Sequence, residues 1–330
     1  MGSIVKIRDL DFSTNPINAE HAELGIPPIE EAVSHPGEHP ILRIFAWAAG
    51  FMLVAAVAYL ALRLIDHSNG VANAQDLILG VLQSKVFWSA VAVGVFAQTI
   101  DGALGMAYGI TSNTFLLASG VSPAVATASV HIAEVFTTGV SGLSHLKMKN
   151  VNHKLFLRLL VPGLIGAIGG AVLVSTIDGK VLKPFISIYL FIMGLYLVSK
   201  IFRKLRVRKT EPKHVGKLAL FGGFVDAVGG GGWGPVVTTT LVGSGNDPRT
   251  TIGSVNFAEF FLTFGSAIAF SVLVEDGPWP VVAGLVIGGL FAAPLAAWLT
   301  RKVHAKHLLM MVGVLISLVS AANLYKAFFA

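Results

Sequence analysis

A short segment occurs twice in this chain, and the second copy limits what the whole can become. Asp101-Gly-Ala-Leu-Gly-Met-Ala-Tyr-Gly109 returns as Asp226-Ala-Val-Gly-Gly-Gly-Gly-Trp-Gly234, an offset of 125 residues. At the same offset stand Thr114 and Thr239, Ser119-Gly120 and Ser244-Gly245, Pro123 and Pro248, Ala133-Glu134 and Ala258-Glu259, Thr138 and Thr263, and Ser141 and Ser266. Each copy is an apolar segment broken by glycine, then a turn at proline, then an apolar helix carrying a glutamate. Two facing units of this kind are the sequence mark of a repeat-built membrane transporter.

The rest of the composition agrees. Hydrophobic residues make up 54% of the 330-residue chain and charged residues 13%, about half the charged share of a soluble domain. A net charge of +6 then needs no nucleic acid to explain it, since cytoplasmic loops of membrane proteins collect Lys and Arg. The absence of cysteine excludes disulfides, thiolate metal sites and a sulfur relay through cysteine.

The pattern predicts an all-α polytopic membrane protein. Residues 1–40 read as a soluble tail, with no signal-peptide h-region. Residues 41–65 give one extra transmembrane helix without a counterpart in the second half. Repeat 1 spans 84–202 as a broken segment at 84–119 and helices at 121–146, 155–175 and 182–202. A basic linker, 203–216, leads to repeat 2 at 217–328, with a broken segment at 217–245 and helices at 249–274, 280–300 and 307–328. Each broken segment is either a re-entrant pair of half-helices or two short spanning helices.

Loop charge orients the two units. Lys147-Met-Lys149-Asn-Val-Asn-His-Lys154 is basic, whereas its counterpart around Glu275-Asp276 is acidic. Arg301-Lys302-Val-His304-Ala-Lys306 is basic, and its counterpart around Asp178-Gly-Lys180 is mixed. With basic loops placed inside, the units have inverted topology and the N-terminus is cytoplasmic.

Polar groups mark one face of each glutamate helix. Thr127, His131, Glu134, Thr138 and Ser141 recur at helical spacing, as do Asn256, Glu259, Thr263 and Ser266. A carboxylate at mid-membrane depth costs at least about 2.5 kcal/mol and usually serves an ion or substrate route, although a pair of buried glutamates also serves as interhelix glue. His131 either donates to an oxyanion or simply packs. Asp101 and Asp226 either cap half-helices or belong to the site. The glycines end helices inside the membrane, where free N–H groups and the helix dipole bind oxyanions without a fixed cation, or they let helices pack closely. The candidate binding set is Gly105, Gly109, His131, Gly230, Gly231, Gly234 and Asn256. Glu134, Glu259, Asp101 and Asp226 are the candidate proton-coupling groups, because an anion and a buried carboxylate cannot both stay charged side by side.

Other classes fail on motifs. The run Gly229–Gly232 lacks the Lys-Ser/Thr of a nucleotide loop. His131-Ile-Ala-Glu134 lacks a second histidine at metal spacing, and no serine-hydrolase elbow occurs. An enzyme, a metal centre and a resident cofactor are therefore not expected.

On the duplicated glycine segment with its leading aspartate, Ser-Gly-Val-Ser-Pro123, Ser-Gly-Asn-Asp-Pro248 and the glutamate helices, the chain resembles the TauE/SafE family of sulfite and organosulfonate exporters. The resemblance covers residues 84–328. It implies a secondary transporter that exports a small sulfur oxyanion, sulfite or an organosulfonate such as sulfoacetate; an anion channel or an importer of a related anion is the alternative. The lack of the cysteines that thiosulfate-importing relatives use counts against thiosulfate. Implied partners are the transported anion, membrane lipid and a second copy of the chain in a homodimer, with no nucleic acid.

Overall fold

The computed structural model describes residues 39–67, 74–104, 106–199, 202, 214–244, 246–274, 277–299 and 305–329. Expectations for the tail to residue 38, Gly105, most of the basic linker, Glu275-Asp276 and Arg301–His304 lie outside the described residues.

The described residues are helical throughout, with no strand. The helices are α1 (Pro40–His67), α2 (Ala74–Gln83), α3 (Lys85–Leu104), α4 (Tyr108–Ala118), α5 (Pro123–Lys147), α6 (His153–Thr176), α7 (Gly179–Ser199) and α8 (Val215–Gly229). A π-turn, Gly234–Thr238, runs into α9 (Thr239–Gly243), and α10 (Pro248–Leu273), α11 (Trp279–Leu299) and α12 (Ala305–Phe329) follow. Among the described residues, four helices are long and apolar enough to cross a membrane: Pro40–Asp66, His153–Thr176, Gly179–Ser199 and Thr250–Leu273. With the family reported below, they make this a multi-pass membrane protein.

Local chemistry sets the helix starts. Pro123 and Pro248 open α5 and α10, where proline's missing N–H is no loss and its φ is already helical. Asp247 caps α10 by accepting from Thr250 N at 2.9 Å, and Asn152 caps α6 through Lys154 N and Leu155 N at 3.0 and 3.2 Å. Helix α7 begins three residues earlier than its apolar run suggests, because Asp178 Oδ1 accepts from Lys180 N at 2.8 Å and anchors the first turn. Helix α2 was not expected from the pattern. It ends against α3, where Trp88 Nε1 donates to Leu82 O at 2.7 Å.

Both expected breaks exist, and their arms are unequal. At 1.5 Å per residue α3 is about 30 Å long and α4 about 16 Å. On the same rise α8 is about 22 Å, and the π-turn with α9 about 15 Å.

Packing exchanges elements between the halves. The opening helix of each half lies against the helix that follows the glutamate helix of the other, α3 on α11 and α8 on α6. The glutamate helices α5 and α10 pair, as do the closing helices α7 and α12. Glycine makes these crossings close. A Cβ on Gly94 would lie 2.6 Å from Leu285 O, one on Gly284 would lie 2.6 Å from Phe87 O, and one on Gly170 would lie 2.5 Å from Phe224 O. Gly194 and Gly313 face each other the same way, each 2.7–2.8 Å from the other's carbonyl oxygen. Where α5 meets α10, Thr138 Oγ1 and Thr263 Oγ1 are 3.4 Å apart. These two residues hold equivalent positions in the sequence repeat, so each half touches its own counterpart at this point.

Helix α1 packs on α5, α10 and α11. Leu53 fills the space left by Gly139, and Phe45 meets the rings of Phe156 and Phe261. Its outer face, including Trp47, Phe51 and Val54, is exposed and suits lipid.

Candidate functional site

The two breaks meet in the middle of the bundle. A Cβ on Gly109 would lie 2.6 Å from Gly230 O and 2.7 Å from Gly231 Cα. A Cβ on Gly231 would lie 2.5 Å from Gly109 C. Main chain therefore lies against main chain with no side chain between, an approach only glycine permits. Gly230 and Gly231 also have φ of 65° and 144°, which turns the chain out of α8.

Beside this crossing is a tight cavity lined by Asp101, Glu134, Asp226 and Glu259, with Gly109, Gly231 and Gly234 of the expected set. Met106, Ala107, Tyr108, Ile110, Gly232 and Pro235 complete the wall. Its volume is about 10 Å³, close to the minimum for one water and too small for a sulfur oxyanion. Among the described residues no lysine or arginine lines it. Gly230 contributes at the crossing rather than to the wall. His131 sits behind Asp226, and the Asn256 amide turns to Ser141 Oγ at 3.3 Å.

The aspartates bridge the breaks. Asp226, at the end of α8, reaches across so that its Oδ1 accepts from Gly232 N at 2.6 Å and Trp233 N at 2.9 Å. Asp101 does the same in the first half, accepting from Tyr108 N at 3.3 Å. Tyr108 and Trp233 are equivalent in the repeat, so this bond occurs twice. The helix-end donors expected to face an anion are thus held by internal carboxylates, loosely at Asp101 and tightly at Asp226.

The carbonyl groups freed by the second break find side chains from elsewhere. Thr127 Oγ1 donates to Ala227 O at 2.9 Å, Asn113 Nδ2 to Gly229 O at 2.6 Å, and Tyr189 Oη to Gly231 O at 2.9 Å. Unpaired carbonyl groups in hydrocarbon each cost several kcal/mol, so these three residues secure the break. Of the three, only Thr127 stands out in the sequence, as part of the polar stripe of α5; Asn113 and Tyr189 do not. Their partners lie 100, 116 and 42 residues away, beyond any local pattern.

His131 is fixed from both sides. Its Nδ1 is 2.9 Å from Thr127 O, which can only accept, so Nδ1 carries the hydrogen. Nε2 faces Asp226 Oδ2 at 3.3 Å. Glu134, one turn on, is 3% exposed and its Oε2 has no hydrogen-bond partner. One ligand-type atom from each of His131, Glu134 and Asp226 lies within 4.8 Å of the others. The trio does not appear as a local metal motif because its third member arrives from another helix.

An all-helical membrane protein with two crossing helix breaks and a buried polar cavity between them has the architecture of a membrane transporter. The chain belongs to the sulfite exporter TauE/SafE family, whose model matches residues 90–323. It is 43% identical over 248 residues to the probable membrane transporter protein YtnM of Bacillus subtilis (strain 168), covering 72% of this chain and 82% of that protein. The probable membrane transporter protein YunE of the same organism is 22% identical over 268 residues, 73% of this chain and 98% of that one. No solved structure matches the chain.

Proposed function

We propose that the protein exports a small sulfur oxyanion, sulfite or an organosulfonate such as sulfoacetate, across the bacterial inner membrane as a secondary transporter. The observation that carries this reading is the pair of helix breaks whose N-terminal amides already hold carboxylate oxygens. A carboxylate is an oxyanion, so Asp101 and Asp226 occupy positions that a sulfonate or sulfite oxygen would take. Substrate binds by displacing the weaker of the two, Asp101, from the start of α4. The donors set their preference by geometry and partial charge rather than by a fixed base.

The four carboxylates require a cation to accompany the anion, because like charges at close range in a buried cavity repel strongly. That requirement supports coupling to a cation flux. The tightness of the cavity supports alternating access over an open channel. The exchange of elements between halves and the Thr138–Thr263 contact support two repeats about a pseudo-two-fold axis. With the loop charges they make inverted topology the arrangement of choice, with the N-terminus inside.

The test is ligand-dependent stabilisation of the purified protein against sulfite, sulfate, thiosulfate, sulfoacetate and taurine, followed by flux in proteoliposomes. A ligand of the native state raises its apparent stability. Stabilisation by sulfite or sulfoacetate, with saturable flux of the same anion, is expected. Equal indifference to all five anions ends the reading.

A further inference from the structure

We propose that His131, Glu134 and Asp226 bind one divalent transition-metal ion, of the Zn²⁺ or Mn²⁺ kind, inside the bundle. All three residues are buried, and their ligand-type atoms lie within 4.8 Å of one another.

Orientation is the first argument. Metal-binding histidines characteristically donate their other ring N–H to a carbonyl or carboxylate, which fixes the tautomer. His131 does this, with Nδ1–H to Thr127 O at 2.9 Å, and its Nε2 faces Asp226 Oδ2. Asp226 is held in the same way. Two backbone N–H groups secure Oδ1 and leave Oδ2 towards the histidine.

Distance is the second. Nε2 and Oδ2 are 3.3 Å apart. A charged N–H···O bond is usually about 2.7–2.9 Å. Two ligand atoms each about 2.0–2.1 Å from a tetrahedral ion stand roughly 3.3–3.4 Å apart. The third argument is Glu134, whose buried Oε2 has no partner and lines the same cavity. A neutral imidazole, two carboxylates and a doubly charged cation sum to zero, which removes the cost of two bare carboxylates in a region without lysine or arginine. Imidazole with two carboxylates favours a first-row transition metal over Mg²⁺ or Ca²⁺.

The site is single. Position 256, which matches His131, is Asn, and its amide bonds Ser141 Oγ. The ion would place a positive charge beside the start of α4, where the oxyanion is proposed to dock. The metal site itself does not depend on that reading.

The test uses the tag-free full-length protein in detergent, stripped with a chelator and titrated with Zn²⁺, Mn²⁺ and Mg²⁺ by calorimetry and elemental analysis, with no anion substrate. A His39→Ala background removes the stacked His39–His153 pair as a competing surface site. One Zn²⁺ or Mn²⁺ per chain is expected. Affinity should fall by more than about a hundredfold in His131→Asn and in Glu134→Gln, since removing a ligand costs more than the ten- to hundredfold loss from a supporting partner. Wild-type metal content in folded His131→Asn, or less than stoichiometric metal at saturation, overturns the site. Should both variants fail to fold, X-ray absorption of the Zn²⁺-loaded wild type decides it: an imidazole ligand supports the site and its absence refutes it. Because no anion is present, these outcomes are separate from the outcome of the transport assay.

Discussion

The contact of Gly109 with Gly230 and Gly231 can be tested by adding one methyl group. In Gly109→Ala the new Cβ would stand 2.6 Å from Gly230 O, 2.7 Å from Glu134 Oε1 and 2.7 Å from Gly231 Cα, against an ordinary contact of 3.4–4 Å. Two of the three obstacles are main chain and cannot swing aside, so the two breaks must part by about 0.8 Å. Overpacking of this kind costs about 1–3 kcal/mol, equivalent to about a 5- to 150-fold change in an equilibrium constant. The natural control is Gly169→Ala. Gly169 lies inside α6 with nothing within 4 Å of its Cβ position, and replacing an open helical glycine gains up to about 1 kcal/mol. Thermal stability in detergent and anion flux in proteoliposomes should therefore move in opposite directions for the two variants, down for Gly109→Ala and level or up for Gly169→Ala. If Gly109→Ala is as stable and as active as Gly169→Ala, the breaks do not cross as described.

Asp226→Ala should destabilise the protein by about 2–6 kcal/mol, since it orphans the N–H groups of Gly232 and Trp233 at about 1–3 kcal/mol each; chemical denaturation in mild detergent would measure it, and a loss below 1 kcal/mol would show that water replaces the carboxylate. In this cysteine-free chain, Thr138→Cys/Thr263→Cys should cross-link on mild oxidation, because the two hydroxyls are 3.4 Å apart and disulfides need neighbouring Cβ atoms; a folded double variant with two persistently free thiols contradicts the contact. Single-cysteine labelling should find positions 149, 206 and 302 on the cytoplasmic side and 178 and 276 on the other; labelling of 149 and 276 from one side would end the inverted arrangement. Asn113→Ala should cost about 1–3 kcal/mol by leaving Gly229 O without its donor, read as a fall in melting temperature against Ser119→Ala on the exposed end of the same segment.

Much of this architecture is legible in the chain because membrane helices announce themselves by length and apolarity, and because a repeat presents every signal twice. The helix starting at Pro123 is predicted by the same proline that starts its partner at Pro248. Aspartates 101 and 226 flag the breaks because each opens a glycine-rich segment. The pattern fails where a residue has no copy. Asn113 matches Thr238 and does not show in a comparison of the halves, and His131, which matches Asn256, shows only through the polar stripe of its own helix. Asn113 nevertheless closes the second break, and His131 holds Asp226. The wall at Tyr108 was also missed. An aromatic among glycines reads as filler until its N–H is seen on Asp101 and its hydroxyl on Leu285 O at 3.1 Å.

The meeting of Thr138 with Thr263 also bears on ancestry. A residue that touches its own counterpart would, in a chain of half this length, touch the same residue of a second molecule. Such a half-length precursor would form this contact only as a self-paired dimer. Every feature near the axis would then come in twos, and a mutation that improved one would alter both. Joining the two copies in one chain lifts that restriction. A lone imidazole at 131 opposite an amide at 256 is an arrangement open to the fused chain and closed to the pair.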